Sequence, residues 1–264
     1  MPEPAPKSIT STKNPIVARF RAAATGDDAG ALLAEGVRLV QEGLDAGLAV
    51  HAALVSPRLR EPALGERLRA VAAEFAECSD EVLARTSALE THQGVAAVFA
   101  RPRWQPADLL RRDLAPLVTA AAGVRDPGNL GALLRTAEAA AATGFVALAG
   151  GADPFREKAV RGAMGSTFRL PTLAGMQPAE LLAFCRQQKL QLVVADGVGE
   201  RDYLDFDWRK PIVLVVGAEA AGVPPQLLQA ADARVRIAVR APVDSLNVAV
   251  AAGVLLFEAR RQRR

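Results

Sequence analysis

Short apolar runs alternate with helical stripes of apolar residues along most of the chain. The runs at residues 117–122, 145–150, 190–196 and 211–217 are nearly continuous in aliphatic residues, which is typical of central strands covered on both faces. Between two of them, residues 178–188 repeat apolar positions at helical spacing. The second half of the chain therefore predicts a parallel sheet with helices on either side.

Helices and shorter strands complete this half of the prediction. They are a helix after Asp126-Pro127-Gly128 with Asn129 as its N-cap, a helix over 154–164, a strand or extended link over 168–173, a helix over 224–231, a strand over 234–239, and a final helix that Ser245 caps and that starts at Leu246.

The first half also alternates between helical and strand patterns, which predicts a smaller α/β sandwich. Its predicted elements are a helix after Asp27 and Asp28 with Leu33, Val37, Val40, Leu44 and Leu48 on one stripe, a strand over 49–56, a helix over 62–73, a strand over 74–78, a helix over 80–85 capped by Ser79, and a strand over 93–100.

Composition shifts divide the chain into four parts. Residues 1–14 are rich in Pro, Ser and Thr and predict a flexible arm, followed by the small α/β domain over 15–101. Residues 102–113 combine prolines and arginines as a linker, and 114–264 form the sheet domain. Trp104 in the linker packs at a domain seam or stacks on a base, and the sequence leaves both open.

The charge of the chain is compatible with a nucleic-acid partner without requiring one. The formal net charge is +3 over 264 residues and the isoelectric point is about 9.2. Basic residues cluster near both ends: Lys7, Lys13, Arg19, Arg21, Arg260, Arg261, Arg263 and Arg264. The last four are either a solvated helix end or RNA contacts.

Several classes of protein are disfavoured by what the sequence lacks. Cys78 and Cys185 are the only cysteines, so a disulfide framework is not expected and a reducing cytoplasm is the simplest setting. The first 15 residues lack the apolar segment of a signal peptide, and no apolar run has the roughly 18 residues of a membrane helix. Two histidines and two cysteines without tight spacing predict no metal site.

Common catalytic signatures are also missing. The nearest approach to a dinucleotide-binding G-x-G-x-x-G is Gly197-Val198-Gly199, which ends at Asp202 where the third glycine belongs. There is no phosphate-binding P-loop, no G-x-S-x-G nucleophile elbow and no sequence-local case for a Ser-His-Asp or Cys-His nucleophile. His51 lies in a predicted strand and is interpreted as structural, while His92 is a loop residue without an assigned role.

Three separated stretches of the chain match, in the same order, the sequence motifs of one protein family. They are residues 129–135 within DPGNLGALLRT, residues 217–222 after the strand PIVLVV, and residues 245–253, SLNVAVAAG. Over about residues 115–262 the chain thereby resembles the SpoU/TrmH family, in the SPOUT class of RNA ribose 2′-O-methyltransferases.

A weaker similarity covers the first hundred residues. AEGVRLVQEGL at 34–44 and THQGVAAVF at 91–99 resemble the substrate-binding domain of the same family. The resemblance implies a C-terminal trefoil-knotted domain behind a smaller N-terminal RNA-binding domain, and a homodimer. It also implies S-adenosylmethionine (AdoMet) as cofactor, held by Gly217, Ile237 and Leu246 largely through backbone groups.

The resemblance assigns the chemistry to few side chains, because the sulfonium methyl group is already activated. It implies that Arg135 is the catalytic arginine, whose direct role is charge stabilisation because arginine is almost always protonated. It further implies that Asn129 orders the nucleotide-receiving loop, Glu219 braces the knot, and Ser245 and Asn247 orient Arg135 and the substrate.

The leading hypothesis is AdoMet-dependent 2′-O-methylation of a structured RNA in the cytoplasm. Large-subunit (23S) ribosomal RNA is the preferred substrate because of the extra N-terminal domain, and transfer RNA stays open. A non-catalytic RNA-binding protein is the second hypothesis, which failure to bind AdoMet would favour. The third is a nucleotide-dependent oxidoreductase, which the missing third glycine disfavours and an NAD(H) binding test would check.

Overall fold

The structure, a computed structural model, describes residues 8–87, 91–110, 114–218 and 222–264. The chain divides into two compact units. The first unit is the described part of Met1–Pro102 with Phe155–Phe168, and the second is the described part of Arg103–Pro154 with Arg169–Arg264.

Helices occur in both units. In chain order they are α1 Pro15–Thr25, α2 Val37–Asp45, α3 Pro62–Val71, α4 Asp80–Thr86, α5 Pro127–Ala139, α6 Glu157–Ala163, α7 Ser166–Arg169, α8 Pro178–Gln188, α9 Pro225–Gln229 and α10 Val248–Gln262, with short 3-10 turns at Pro106–Leu109 and Tyr203–Asp205.

Strands build one sheet in each unit. In chain order they are β1 Ala31–Glu35, β2 Val50–Val55, β3 Ala72–Glu77, β4 Val95–Ala100, β5 Leu117–Ala122, β6 Gly144–Leu148, β7 Thr172–Met176, β8 Gln191–Ala195, β9 Arg201–Asp202, β10 Ile212–Gly217 and β11 Ala233–Arg236.

The sheet of the first unit has four strands in the order β1-β4-β2-β3. β4 pairs antiparallel with β1 and β2, whereas β2 and β3 are parallel. Side chains alternate between two cores, so Leu32 faces one cluster and Leu33 the other. The unit is therefore an α/β sandwich, as the sequence predicts.

The sheet of the second unit is parallel throughout, in the order β7-β6-β5-β10-β8-β11-β9. The central strands β5 and β10 are buried on both faces, with Val118, Ala120 and Val215 in the cluster that includes α8. Carboxyl ends of parallel strands lie at one edge, and ligand sites of open α/β sheets form there. The predicted doubly covered parallel sheet is confirmed.

Two predicted elements are wrong in part, because α2 begins later than predicted and only residues 172–173 of the predicted strand or extended link over 168–173 lie in a strand. Leu33 lies in β1, opposite Val98 of β4, and not on a helix; the helix begins only at Val37, after Gly36 with φ 86°. Phe168, predicted in a strand or extended link, lies in α7, where its ring packs 6.0 Å from that of Phe99 in the first unit's core. At both residues tertiary burial decides between helix and strand, because the local spacing of apolar residues fits either one.

The predicted flexible arm is held at one described position. Ile9 pairs with Cys78, since its N–H donates to Glu77 O at 2.7 Å and its carbonyl accepts from Ser79 N at 3.0 Å. Among the described residues, no helix combines the length and apolarity that crossing a bilayer requires.

Candidate active site

The first candidate motif lies on α5, directly after the buried strand β5. Asp126, not Asn129, is the N-cap, because its carboxylate accepts a hydrogen bond from Asn129 N at 2.7 Å. Pro127 occupies the first helical position, where a missing N–H costs nothing. Asn129 thus lies in the first turn of the helix. Arg135 is exposed and makes no ion pair or hydrogen bond with the described residues.

The second motif begins where β10 ends. Gly217 is half-buried, and the N–H of Gly222 donates to Ala218 O at 2.7 Å. A Cβ on Gly217 would lie 2.4 Å from Gly222 C and 2.6 Å from Val223 N. Glycine is required at 217 because the chain itself passes there. Glu219 lies outside the described residues.

The third motif follows β11 as a loop that leads into α10. Ser245, the predicted N-cap, is exposed and does not cap α10. Asn247 caps this helix instead, because its Oδ1 accepts from Ala249 N at 3.0 Å and Val250 N at 3.4 Å. Its Nδ2 donates to Asn129 Oδ1 at 3.1 Å. The first and third motifs, 118 residues apart in sequence, are therefore joined by one amide pair.

A cavity of about 320 Å³ lies at the carboxyl edge of this sheet. Its lining is mostly aliphatic and includes four predicted site residues, Gly217, Ile237, Ser245 and Leu246. Arg135, Asn129 and Asn247 are not among its lining residues. The structure thus brings the three predicted cofactor positions to one cavity, and it joins Asn129 to Asn247 outside that lining.

Two carboxylates also line the cavity, and the sequence interpretation missed both. Asp196 follows β8 and Asp244 precedes Ser245. Asp196 is paired, because Arg234 donates to its Oδ2 from Nη2 at 2.6 Å and from Nε at 2.9 Å. These hydrogen bonds raise the pKa of the Arg234 guanidinium above its ordinary value. The position of Asp196 directly after an apolar strand was a usable signal, since such positions meet at one sheet edge.

Glu200 extends this pair into a short network. Arg234 Nη1 lies 3.0 Å from Glu200 Oε1, and Arg236 Nη1 donates to Gly199 O at 2.8 Å. The residues that follow β8 are thereby fixed to β11 beside the cavity. We find no group of three or more His, Cys, Asp or Glu arranged for a metal ion among the described residues.

The cysteines are not activated. Burial raises the pKa of the Cys185 thiol to about 12 and that of the Cys78 thiol to about 11. Both are free and buried, so at neutral pH they are protonated and poor nucleophiles. His92 is buried too, and its Nδ1 accepts from Gly94 N at 3.2 Å, which gives it a place in a turn.

Comparison with known proteins identifies both parts of the chain. Residues 116–257 match the SpoU rRNA Methylase family, and residues 20–97 match the MRM3-like substrate binding domain. A 23S rRNA (guanosine(2553)-2′-O)-methyltransferase of Bacillus subtilis, RlmP, is 31% identical over 96% of this chain and 99% of its own length.

Solved structures agree over nearly the full length. An AdoMet-bound rRNA methyltransferase from Sinorhizobium meliloti superposes with a TM-score of 0.85 at 34% identity, covering 97% of both chains. The SpoU methyltransferase AviRb from Streptomyces viridochromogenes, in complex with AdoMet, has a TM-score of 0.87 at 28% identity over 95% of this chain and 98% of its own. The resemblance carried by the three motifs is confirmed, and the chain belongs to the SpoU rRNA Methylase family.

Proposed function

We propose that the protein transfers a methyl group from AdoMet to the 2′-hydroxyl of a ribose in 23S ribosomal RNA, in the cytoplasm. The observation that carries this proposal is the convergence of Gly217, Ile237 and Leu246 on one cavity of the family's methyltransferase domain. The relatives named for 23S rRNA 2′-O-methylation, including the full-length match, support ribosomal RNA over transfer RNA.

The cavity fits the donor in size and chemistry. Its volume of about 320 Å³ lies within the range of small-ligand pockets, about 300–1,000 Å³. Gly217 and Ala218 line the cavity, and Val216, Ile237 and Leu246 offer it apolar faces. When bound, the donor supplies an activated methyl group, so the protein has only to position the ribose and assist loss of its proton.

Arg135 is the proposed catalytic residue. Its guanidinium is exposed and unpaired among the described residues, so it is available to an RNA phosphate or the 2′-oxygen. Arg135 then stabilises negative charge as the hydroxyl proton leaves. Through their amide pair, Asn129 and Asn247 hold the N-terminal ends of α5 and α10 together. Ser245 at the cavity wall orients the substrate. Glu219 is proposed to brace the backbone after β10.

Three further features belong to the proposal. The C-terminal segment is threaded as a trefoil knot, in keeping with the family resemblance. The N-terminal unit binds RNA, which its match to a substrate binding domain supports.

The protein is a homodimer, and the solvent-facing stripe of α10, with Val250 at 55% and Phe257 at 49% exposure, supports an apolar contact. Phe257→Asp should then convert a dimer into a monomer in sedimentation analysis.

The test is methylation of purified ribosomal RNA and transfer RNA with tritium-labelled AdoMet, followed by mapping of the labelled ribose. We expect label at a 2′-oxygen of 23S RNA. Label in transfer RNA alone would overturn the substrate assignment. RNA binding without AdoMet binding would instead support a non-catalytic RNA-binding protein.

Arg135→Ala should reduce turnover by about 10²–10⁴-fold, the range for groups that assist proton transfer. Because Arg135 is not among the cavity-lining residues, the Kd for AdoMet should be unchanged. Arg186→Ala is the matched control, since Arg186 is another exposed arginine of the same unit, on α8. Full turnover in Arg135→Ala would remove this residue from the mechanism.

A further inference from the structure

The wall of the cofactor cavity carries an unbalanced negative charge. Of the described residues that line it, none is Lys, Arg or His, and two are aspartates. Asp196 is neutralised by Arg234 at 2.6 Å. Asp244 has no ion pair or side-chain hydrogen bond with any described residue, although it lies beside Ser245 and Leu246 in the same wall.

An unpaired carboxylate at an apolar wall favours a cationic ligand over a neutral one. The methyl donor carries a positive sulfonium, whereas its by-product, S-adenosylhomocysteine, has lost that charge with the methyl group. We propose that Asp244 is a specificity residue that supplies the counter-charge for the sulfonium and thereby favours the donor over the by-product. This inference rests on the proposed function of the cavity.

The position of the charge predicts which kinetic constant it changes. In methyl transfer the carbon–sulfur bond breaks, a carbon–oxygen bond forms, the ribose proton leaves to solvent, and the electron pair stays on sulfur. The positive charge on sulfur therefore decreases in the transition state. A carboxylate that stabilises the sulfonium stabilises the ground state more, so its removal should raise KM for AdoMet without lowering kcat.

The size of the effect is limited by solvent. Asp244 is exposed, and charge pairs at exposed sites are screened by water and salt. We therefore expect Asp244→Asn to raise the Kd for AdoMet by about 2–5-fold, and the difference from wild type to shrink at high salt. Asp244→Glu keeps the charge and should retain most of the affinity.

The experiment is calorimetric titration of the full chain with AdoMet and with S-adenosylhomocysteine. Asp205→Asn is the matched control, because Asp205 is an exposed aspartate of the same unit outside the cavity lining. The proposal predicts that Asp244→Asn weakens AdoMet selectively, while Asp205→Asn changes neither ligand. Melting temperatures of the variants check that each one folds.

Two results would overturn the proposal. Equal weakening of both ligands would assign Asp244 to a part of the molecule that they share. A loss of kcat at unchanged Kd would make it a group that acts on the ribose. Absence of AdoMet binding in the wild-type chain would instead reject the proposed function, so the two failures are distinguishable.

Discussion

Backbone passes so close to Gly217 that a methyl group there would meet Gly222 O at 2.5 Å and Val223 N at 2.6 Å. Real Cβ atoms do not approach backbone at such distances, so one of the two segments would have to shift. Both segments belong to the cavity wall. The lack of space at Gly217 therefore determines both how the two segments pack and the shape of the cavity.

Gly217→Ala is predicted to lower the free energy of unfolding by about 1–3 kcal/mol, as overpacking does. Because the displaced backbone lines the cavity, the affinity for AdoMet should fall as well. Urea denaturation and calorimetric titration measure the two effects.

Gly253→Ala is the control for this substitution. Its added Cβ would meet only Thr136 Cγ2, at 3.5 Å, and it lies inside α10, where alanine favours the helix by roughly 0.5–1 kcal/mol. It should be neutral or stabilising. Unchanged stability and affinity in Gly217→Ala would contradict the clash.

At the scale of single elements, α10 depends on its two ends. Asn247 caps the first turn and also contacts Asn129 on α5, so it serves helix stability and loop placement together. Near the other end, Glu258 is 9% exposed and accepts hydrogen bonds from Arg261 and Gln262 at 2.7–2.8 Å. These bonds anchor the last turns of the helix.

Asn247→Ala should lower the free energy of unfolding by about 1 kcal/mol, the usual cost of losing a cap. Asn247→Ser retains a capping oxygen but is too short to reach Asn129, so it should keep most of the stability and lose methylation activity. Thermal unfolding and a methylation assay separate the two roles. Equal activity of the Ser variant and wild type would show that the amide pair is not needed.

Glu258 makes the free energy of unfolding depend on pH in the acid range. Hydrogen bonds from Arg261 and Gln262 lower the pKa of this carboxyl to about 2, from an ordinary 4.5. The folded state therefore gains stability above pH 4.5 that is lost as the pH falls from 4.5 toward 2. Glu258→Gln should flatten the slope of unfolding free energy against pH in that window. An unchanged slope in Glu258→Gln would contradict this role of the carboxyl.

Across the second unit, the C-terminal end of α10 holds distant segments together. The Arg263 guanidinium donates to Ala115 O at 2.6 Å, Trp208 O at 2.6 Å and Lys210 O at 2.5 Å. These carbonyls precede β5 and β10, the central strands of the sheet. Burial lowers the pKa of Arg263 to about 10, so it is still charged at neutral pH.

Arg263→Ala should lower the free energy of unfolding by about 2–4 kcal/mol, because several bonds to a charged group are lost and carbonyls are left unpaired. Arg264→Ala, at the exposed last residue, is the matched control and should have little effect. Urea denaturation measures both. Equal stability of the two variants would contradict the role of Arg263.

Much of this architecture is encoded locally. The apolar run at 117–122 predicts β5 with both its ends, and the helical spacing at 178–188 predicts α8 in the same way, since doubly buried strands and amphipathic helices have distinct periods. The three motifs also identify the family from the sequence. The site roles of Arg135 and Glu219 remain predictions.

Tertiary structure alone decided the rest, because the deciding partners are distant in sequence. The N-cap of α5 is Asp126 and that of α10 is Asn247, neither of which was the predicted cap. Leu33 lies in a strand because it pairs with Val98. The isolation of Asp244 and the neutralisation of Asp196 by Arg234 could not be predicted either. Periodicity reports which face is buried, whereas charge pairing and capping depend on which loops meet at the sheet edge.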